Sequence, residues 1–325
     1  MTRSRTKLTQ ARIVLGIAVL AFATFSVLVP DFLSAGNVSR LLQNVSILGI
    51  LAMGMALSII GRGIDLSMVA SMAVSVAWML AEMNAGASFA HAFGLALVFS
   101  IAVGVINGVL IAYVEIPPIF ATLAMGTAIY GFGRVFLLAS DVNYLPDDWQ
   151  WLNMIATAAP LGIPVSVLCF AAVCGLAHLF LRGTREGRYI HMMGDNPQAA
   201  RITGVPIRPM IVGQYVLTSL VALVAGLLMA ALVATMNTRI VGSTYVYDII
   251  LVAVLGGISL SGGRGGAGSV IVGTLLIGIL LNGMTMMNLG YTTQNVIKAL
   301  ILLAALTIDS LVNPRDEQTS QQGDI

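Results

Sequence analysis

The chain has 325 residues, 58% of them hydrophobic and 9% charged, with a net charge of +2. Soluble globular proteins carry roughly 25% charged residues, so a two-domain soluble protein is excluded. So small and scattered a positive charge also excludes a nucleic-acid binder. The composition is that of an all-α membrane protein forming a single transmembrane domain over 1–325. Ten spans of about 20 residues would use roughly 200 residues, close to the hydrophobic content.

In chain order the apolar stretches predict spans at 12–29, 41–60, 66–83, 91–113, 119–139, 160–181, 209–235, 246–260, 267–288 and 294–311. The basic start with Arg3, Arg5, Lys7 and Arg12 resembles a signal peptide. The run that follows is long and has no prompt cleavage site, so it reads as an uncleaved first span. The polar stretch 140–159 holds Asp141, Asp147 and Asp148 beside Trp149 and Trp151. It reads as a surface segment with an aromatic interfacial anchor. The eighth span is short and reads as broken or partly buried in protein. The tail 313–325 is polar and reads as disordered.

Basic residues orient the spans. With ten spans and both termini inside, inner segments hold Arg3, Arg5, Lys7, Arg12, Arg62, Arg182, Arg185, Arg188, Arg201, Arg208, Arg264 and Arg315, twelve of sixteen. Outer segments hold Arg40 and Arg239, while Arg134 and Lys298 sit near outer span ends, where long side chains snorkel. Asn107-Gly108 and Asn282-Gly283 lie 175 residues apart. The same offset carries spans two to five onto spans seven to ten with opposite direction, an inverted repeat of the kind transporters use.

The largest inner loop, 182–208, contains a compact helix signal. Asn196 or Asp195 can cap it, Pro197 suits its first position, Ala199 and Ala200 favour helix, and Gly204 suits its left-handed stop. Two turns are unstable alone, so the helix leans either on its own membrane ends or on a cytoplasmic partner.

This loop, Gly183-Thr184-Arg185-Glu186-Gly187-Arg188-Tyr189 followed by Gly194-Asp195-Asn196-Pro197-Gln198-Ala199-Ala200-Arg201-Ile202-Thr203-Gly204-Val205, resembles the coupling loop of ribose-type permeases of bacterial ABC importers. Gly61-Arg62-Gly63-Ile64-Asp65-Leu66-Ser67 resembles that family's Gly-Ile-Asp-Leu-Ser turn. Gly256-Gly257-Ile258-Ser259-Leu260-Ser261-Gly262-Gly263-Arg264-Gly265 resembles its glycine-rich turn. Asp195 departs from the family, which often has a small residue there. The resemblance implies a type II ABC importer-like fold in a bacterial inner membrane. It implies a second permease subunit, identical or related, two ATPase subunits inside, and a periplasmic or extracytoplasmic solute-binding protein. Asp195, Asn196, Pro197, Gln198, Ala199, Ala200, Arg201 and Gly204 would couple ATPase closure to the membrane halves. ATP and Mg would belong to the ATPase partner.

The residues agree that no cofactor sits on this chain. A P-loop needs a lysine after its last glycine, and neither Lys7 nor Lys298 follows a glycine. The glycine-rich turn with Arg264 reads as a tight inner turn or as an ATPase contact. No metal site or catalytic set is expected from His91, His178 and His191, which are scattered. Asp65 reads as a cap for the third span, or as a gate together with Arg62. The amides Asn44, Asn107, Asn282, Gln294 and Asn295 serve either as interhelical glue or as lining for a hydroxyl-rich solute's path. Glu115 and Asp309 read as solvated boundary residues. An ion-coupled secondary transporter is the alternative function, and its mark would be a paired carboxylate or basic residue deep in a span.

Overall fold

The computed structural model describes residues 4–312, with side-chain surroundings given for 12–307. Arg3, Arg315 and the tail 313–325 lie outside the described residues, as do the side chains of Arg5, Lys7 and Asp309.

Helices occupy all ten predicted intervals. They are α1 (Ser4–Leu28), α2 (Ala35–Ile60), α3 (Met68–Asn84), α4 (Phe89–Ala112), α5 (Pro118–Phe132), α7 (Val165–Gly183), α10 (Ile207–Val233), α11 (Tyr245–Leu255), α12 (Ala267–Met286) and α13 (Tyr291–Val312). Three shorter helices join them: α6 (Gln150–Thr157), α8 (Arg185–Asp195) and α9 (Pro197–Ile202). Among the described residues, six helices are long and apolar enough to cross a membrane, and the segments Arg12–Leu28, Met68–Asn84 and Tyr245–Leu255 are shorter apolar helices. The eighth predicted span is indeed only the eleven-residue α11.

Helix α2 from Val45 onward and the first ten residues of α3 are buried on every side and form the centre. Glycine lets α4 reach α10. A Cβ on Gly104 would lie 2.5 Å from the Val216 Cα, and one on Gly108 would lie 2.5 Å from the Val212 Cα. This is the close backbone approach that small residues at i and i+4 permit.

The two halves match in several details. Gly104 of α4 closes on α10, and Gly278 of α12 closes on Val45 of α2. Helices α2 and α10 are each followed by a left-handed non-glycine residue, Arg62 and Ala234. So are α4 and α12, by Glu115 and Asn288. These pairs are 174, 172 and 173 residues apart.

The segment 140–159 adds a small sheet to the mostly helical chain. Strand β1 (Val142–Tyr144) pairs antiparallel with β2 (Thr235–Asn237), with Asn143 opposite Met236. Strands of three residues, about 90 residues apart, leave no periodic signal in the sequence. Trp149 stacks on Phe89 with ring centroids 5.3 Å apart, so it packs on α4, while Trp151 is exposed.

Candidate functional site

The three quoted motifs are far apart in sequence and meet at one end of the bundle. Thr184 caps α8 by accepting the Gly187 N–H at 3.0 Å. Ile190 and Met193 fall on the buried side of that helix. Its last turn then meets the end of α2 and the glycine-rich turn together. A Cβ on Gly194 would collide with the Ile60 carbonyl and lie 2.5 Å from the Gly263 amide nitrogen. The Gly263 N–H itself donates to the Ile60 carbonyl at 2.7 Å. Gly262 and Gly263 have φ of 84° and 69°, which glycine adopts without strain. Arg62 Nε donates to the Ser261 carbonyl at 3.0 Å and joins the first motif to the third. Arg264 is half-buried in the same turn.

Helix α9 projects from this junction. Asn196 caps it, its Oδ1 accepting the Ala199 N–H at 3.0 Å. Pro197 takes the first position and Gly204 the left-handed stop, with φ 85°. Asp195 instead ends α8 and is exposed. Ala200 is 2% exposed and packs inward with Val205. Gln198, Ala199 and Arg201 face outward, and Ile202 is 86% exposed. The short helix thus does lean on its own chain through one face, and it presents an apolar knob on the other. Helix α8 was missed at sequence level, although Thr184, the first-turn Glu186 and the spacing of Ile190 and Met193 signal it.

Asp65 is fully buried behind this junction. Its Oδ1 accepts the Ser67 N–H at 3.0 Å and the Ser67 hydroxyl at 2.6 Å, and its Oδ2 accepts the Thr218 hydroxyl at 2.9 Å. The carboxylate therefore caps α3 and fastens α10 to it, while Arg62 turns to the glycine-rich motif. Asp65→Ala strands these donors, and bonds to a charged group are worth about 1.5–3 kcal/mol each. The expected loss is roughly 3 kcal/mol in a thermal melt of the detergent-purified protein. A melt unchanged from the parent would show that the cap carries nothing.

The amides do not form one cluster. Asn107 is fully buried near the motif end, donating to the Ser67 hydroxyl at 2.8 Å. Asn282 lies at the opposite end and exchanges two 3.0 Å bonds with Asn37 of α2. Gln294 Nε2 donates to the Leu289 carbonyl at 2.8 Å, and Asn295 Oδ1 accepts the Thr244 hydroxyl at 3.0 Å. Asn44 is exposed on α2. Arg208 pairs with Glu115 at 2.9 Å, and both are largely exposed, so the pair is worth little.

Lys298 does not snorkel. It is 9% exposed and pairs with Asp248 of α11 at 2.8 Å. A buried carboxylate–base pair therefore exists, near the end of the bundle that carries β1 and β2 and in the first turn of α11, whereas the mark of ion coupling is a pair deep in a span. Sequence spacing could not join two residues 50 positions apart on different helices.

Arg134 also has a partner. Asp141 receives Arg134 Nε at 3.1 Å, Arg239 Nε at 3.0 Å and the Thr238 N–H on its carbonyl at 2.8 Å. The Arg239 bond holds its carboxyl below the usual range against desolvation, with Thr238 and Arg134 adding to the effect. A depressed folded value means the contribution is present above the unfolded value, about 3.9, and is lost as pH falls through the folded one. Melts of the parent and Asp141→Asn should differ by a constant amount from pH 7 to about pH 5 and converge below about pH 4. A gap that persists unchanged at the acid end would remove the charge explanation.

A family model described as "Branched-chain amino acid transport system / permease component" matches residues 37–306. The ribose import permease protein RbsC of Escherichia coli strain K12 is 31% identical over 90% of this chain and 92% of its own. RbsC of Bacillus subtilis strain 168 is 32% identical over 91% of each chain. The galactose/methyl galactoside import permease protein MglC of Salmonella typhimurium strain LT2 is 30% identical over 91% of this chain and 94% of its own.

Proposed function

The chain belongs to this family of transport-system permease components, and from that premise we propose that it is the membrane subunit of an ABC importer for a monosaccharide or related polar solute. The observation that carries the proposal is the junction of the three motifs beneath α9. A capped helix with one face buried and an 86% exposed isoleucine on the other is built to be gripped by a second protein. Closure of two ATPase subunits on α9 would move α8, and α8 is in backbone contact with α2 and the glycine-rich turn. Rigid elements in direct contact transmit such a shift to the membrane helices.

In this reading ten helices cross the bacterial inner membrane, with both termini and the motif end in the cytoplasm. The matched left-handed residues and glycines support an inverted repeat of spans two to five and seven to ten. Two permease subunits form the path, and the solute is handed over by an extracytoplasmic binding protein. ATP and Mg are held by the ATPase chains. Asn44 is the exposed amide on α2. With Asn282, Gln294 and Asn295 it would meet the solute from the outer side, and Asn107 would lie near the inner side.

The buried Asp248–Lys298 pair favours a second reading, an ion-coupled transporter working alone. One experiment separates the two. Uptake of labelled ribose and galactose is measured in proteoliposomes holding the permease, with and without its ATPase and binding protein. ATP-dependent uptake only in the full assembly is expected. Uptake by the permease alone under a proton or sodium gradient would overturn the importer reading.

A further inference from the structure

Helix α13 is attached to the bundle along one narrow stripe. Among the described residues it packs chiefly on α11. The stripe includes Asn295, Lys298, Ile301, Leu302 and Ala305, at helical spacing. Val296, Leu300 and Leu303 on the other side are 55–62% exposed. In a bilayer, lipid is as apolar as leucine, so the apolar part of this stripe gives little preference for one register over another. Lys298 differs from the rest of the stripe. Its Nζ lies 2.8 Å and 2.9 Å from the two oxygens of Asp248, itself 6% exposed on α11. It also donates to the Thr244 hydroxyl at 3.3 Å. Thr244 then donates to Asn295 at 3.0 Å and lies 3.2 Å from the Tyr291 hydroxyl. The ion pair thus heads a polar chain that joins α13, α11 and the segment just before α11.

We infer that Asp248 and Lys298 are a register lock. They fix the depth and rotation of α13 on α11 and tie both helices to the turn at Thr244. A buried pair contributes little net stability over an apolar pair of similar size, but removing one partner leaves an uncompensated charge. Its physical use is therefore uniqueness, because sliding α13 by one turn would separate the charges by about 5.4 Å along the axis. This role does not depend on what the protein carries.

The test uses Val296→Cys as a reporter on the exposed side of α13. The native thiols Cys169 and Cys174 are half-buried and buried, and the parent without the reporter gives their background. Labelling by a water-soluble maleimide is followed in membrane vesicles of the full chain. With the lock intact, the reporter thiol is expected to label with a single rate. Lys298→Met is expected to lower membrane abundance at least fivefold. The double variant Asp248→Leu/Lys298→Met is expected to restore abundance to within twofold of the parent. In that double variant the reporter thiol should label with two rates, or with one shifted more than fivefold. Parental labelling in the double variant would mean that apolar packing alone sets the register, and the proposal falls. A double variant that does not accumulate would show that the charges serve folding and not register, which also overturns it. So would Lys298→Met at parental abundance.

Discussion

Ile202→Asp will detach the ATPase subunit while leaving the permease folded in the membrane. The side chain is 86% exposed, so its own fold gains almost nothing from it. In a docked complex, full burial of an isoleucine contributes about 1.5–3 kcal/mol, and a carboxylate forced into the same pocket adds a desolvation cost. The sum weakens association by roughly a hundredfold or more, at about 1.4 kcal/mol per factor of ten. Co-purification of the ATPase and ATP-driven uptake should both fall to background, with permease abundance and melting temperature at parental values. Ala200→Asp, two residues earlier, is the contrasting case. Ala200 is 2% exposed, so a carboxylate there unseats α9 from its own chain and lowers abundance as well. The sequence-based set of coupling residues holds Ala200 and omits Ile202. The structure reverses that choice, because only burial tells which face of a two-turn helix is free. Full ATPase association with Ile202→Asp would place the docking surface elsewhere.

What the sequence made legible follows from the range of each signal. The helices are written in long apolar runs, and the cap of α9 in four consecutive residues, Asn196 to Ala199. Both are local. Asp65 was readable as a helix cap for the same reason, since Ser67 lies two positions away. Its bond to Thr218 was not, because the two residues lie 153 positions apart. The same distance effect hid Asn37 opposite Asn282, Asp248 opposite Lys298, and β1 opposite β2. Placing Lys298 by its position within a span suggested snorkelling, which is sound for a lone lysine. A partner on a neighbouring helix changes the outcome, and no periodicity encodes a partner. The three-motif junction lies between these cases. Two of the motifs were readable as turns and the third as a loop with a short capped helix, but their convergence on the Ile60 carbonyl was not.

That convergence makes Gly194 the most sensitive point of the site. Gly194→Ala will unfold the junction even though alanine is the better helix former by about 1 kcal/mol. Position 194 lies in the last turn of α8, so propensity alone predicts a gain. The contacts decide otherwise. The added methyl would overlap the Ile60 carbonyl and sit 2.5 Å from the Gly263 nitrogen, and both neighbours are backbone, with no rotamer to yield. They are also the two ends of the 2.7 Å bond that joins α2 to the glycine-rich turn. Overpacking costs about 1–3 kcal/mol where side chains can shift, and more where only backbone can. Breaking the bond leaves a buried carbonyl short of a donor, a further cost of about 1–3 kcal/mol. We expect a loss of about 3 kcal/mol or more in the melt, and uptake below a tenth of parental. Gly213→Ala in α10 is the control, since nothing lies within 4 Å of its Cβ position. It should melt at or slightly above the parent. Were Gly194→Ala to melt and transport like Gly213→Ala, α8 would not be held against α2, and closure at α9 would have no rigid route to the membrane helices.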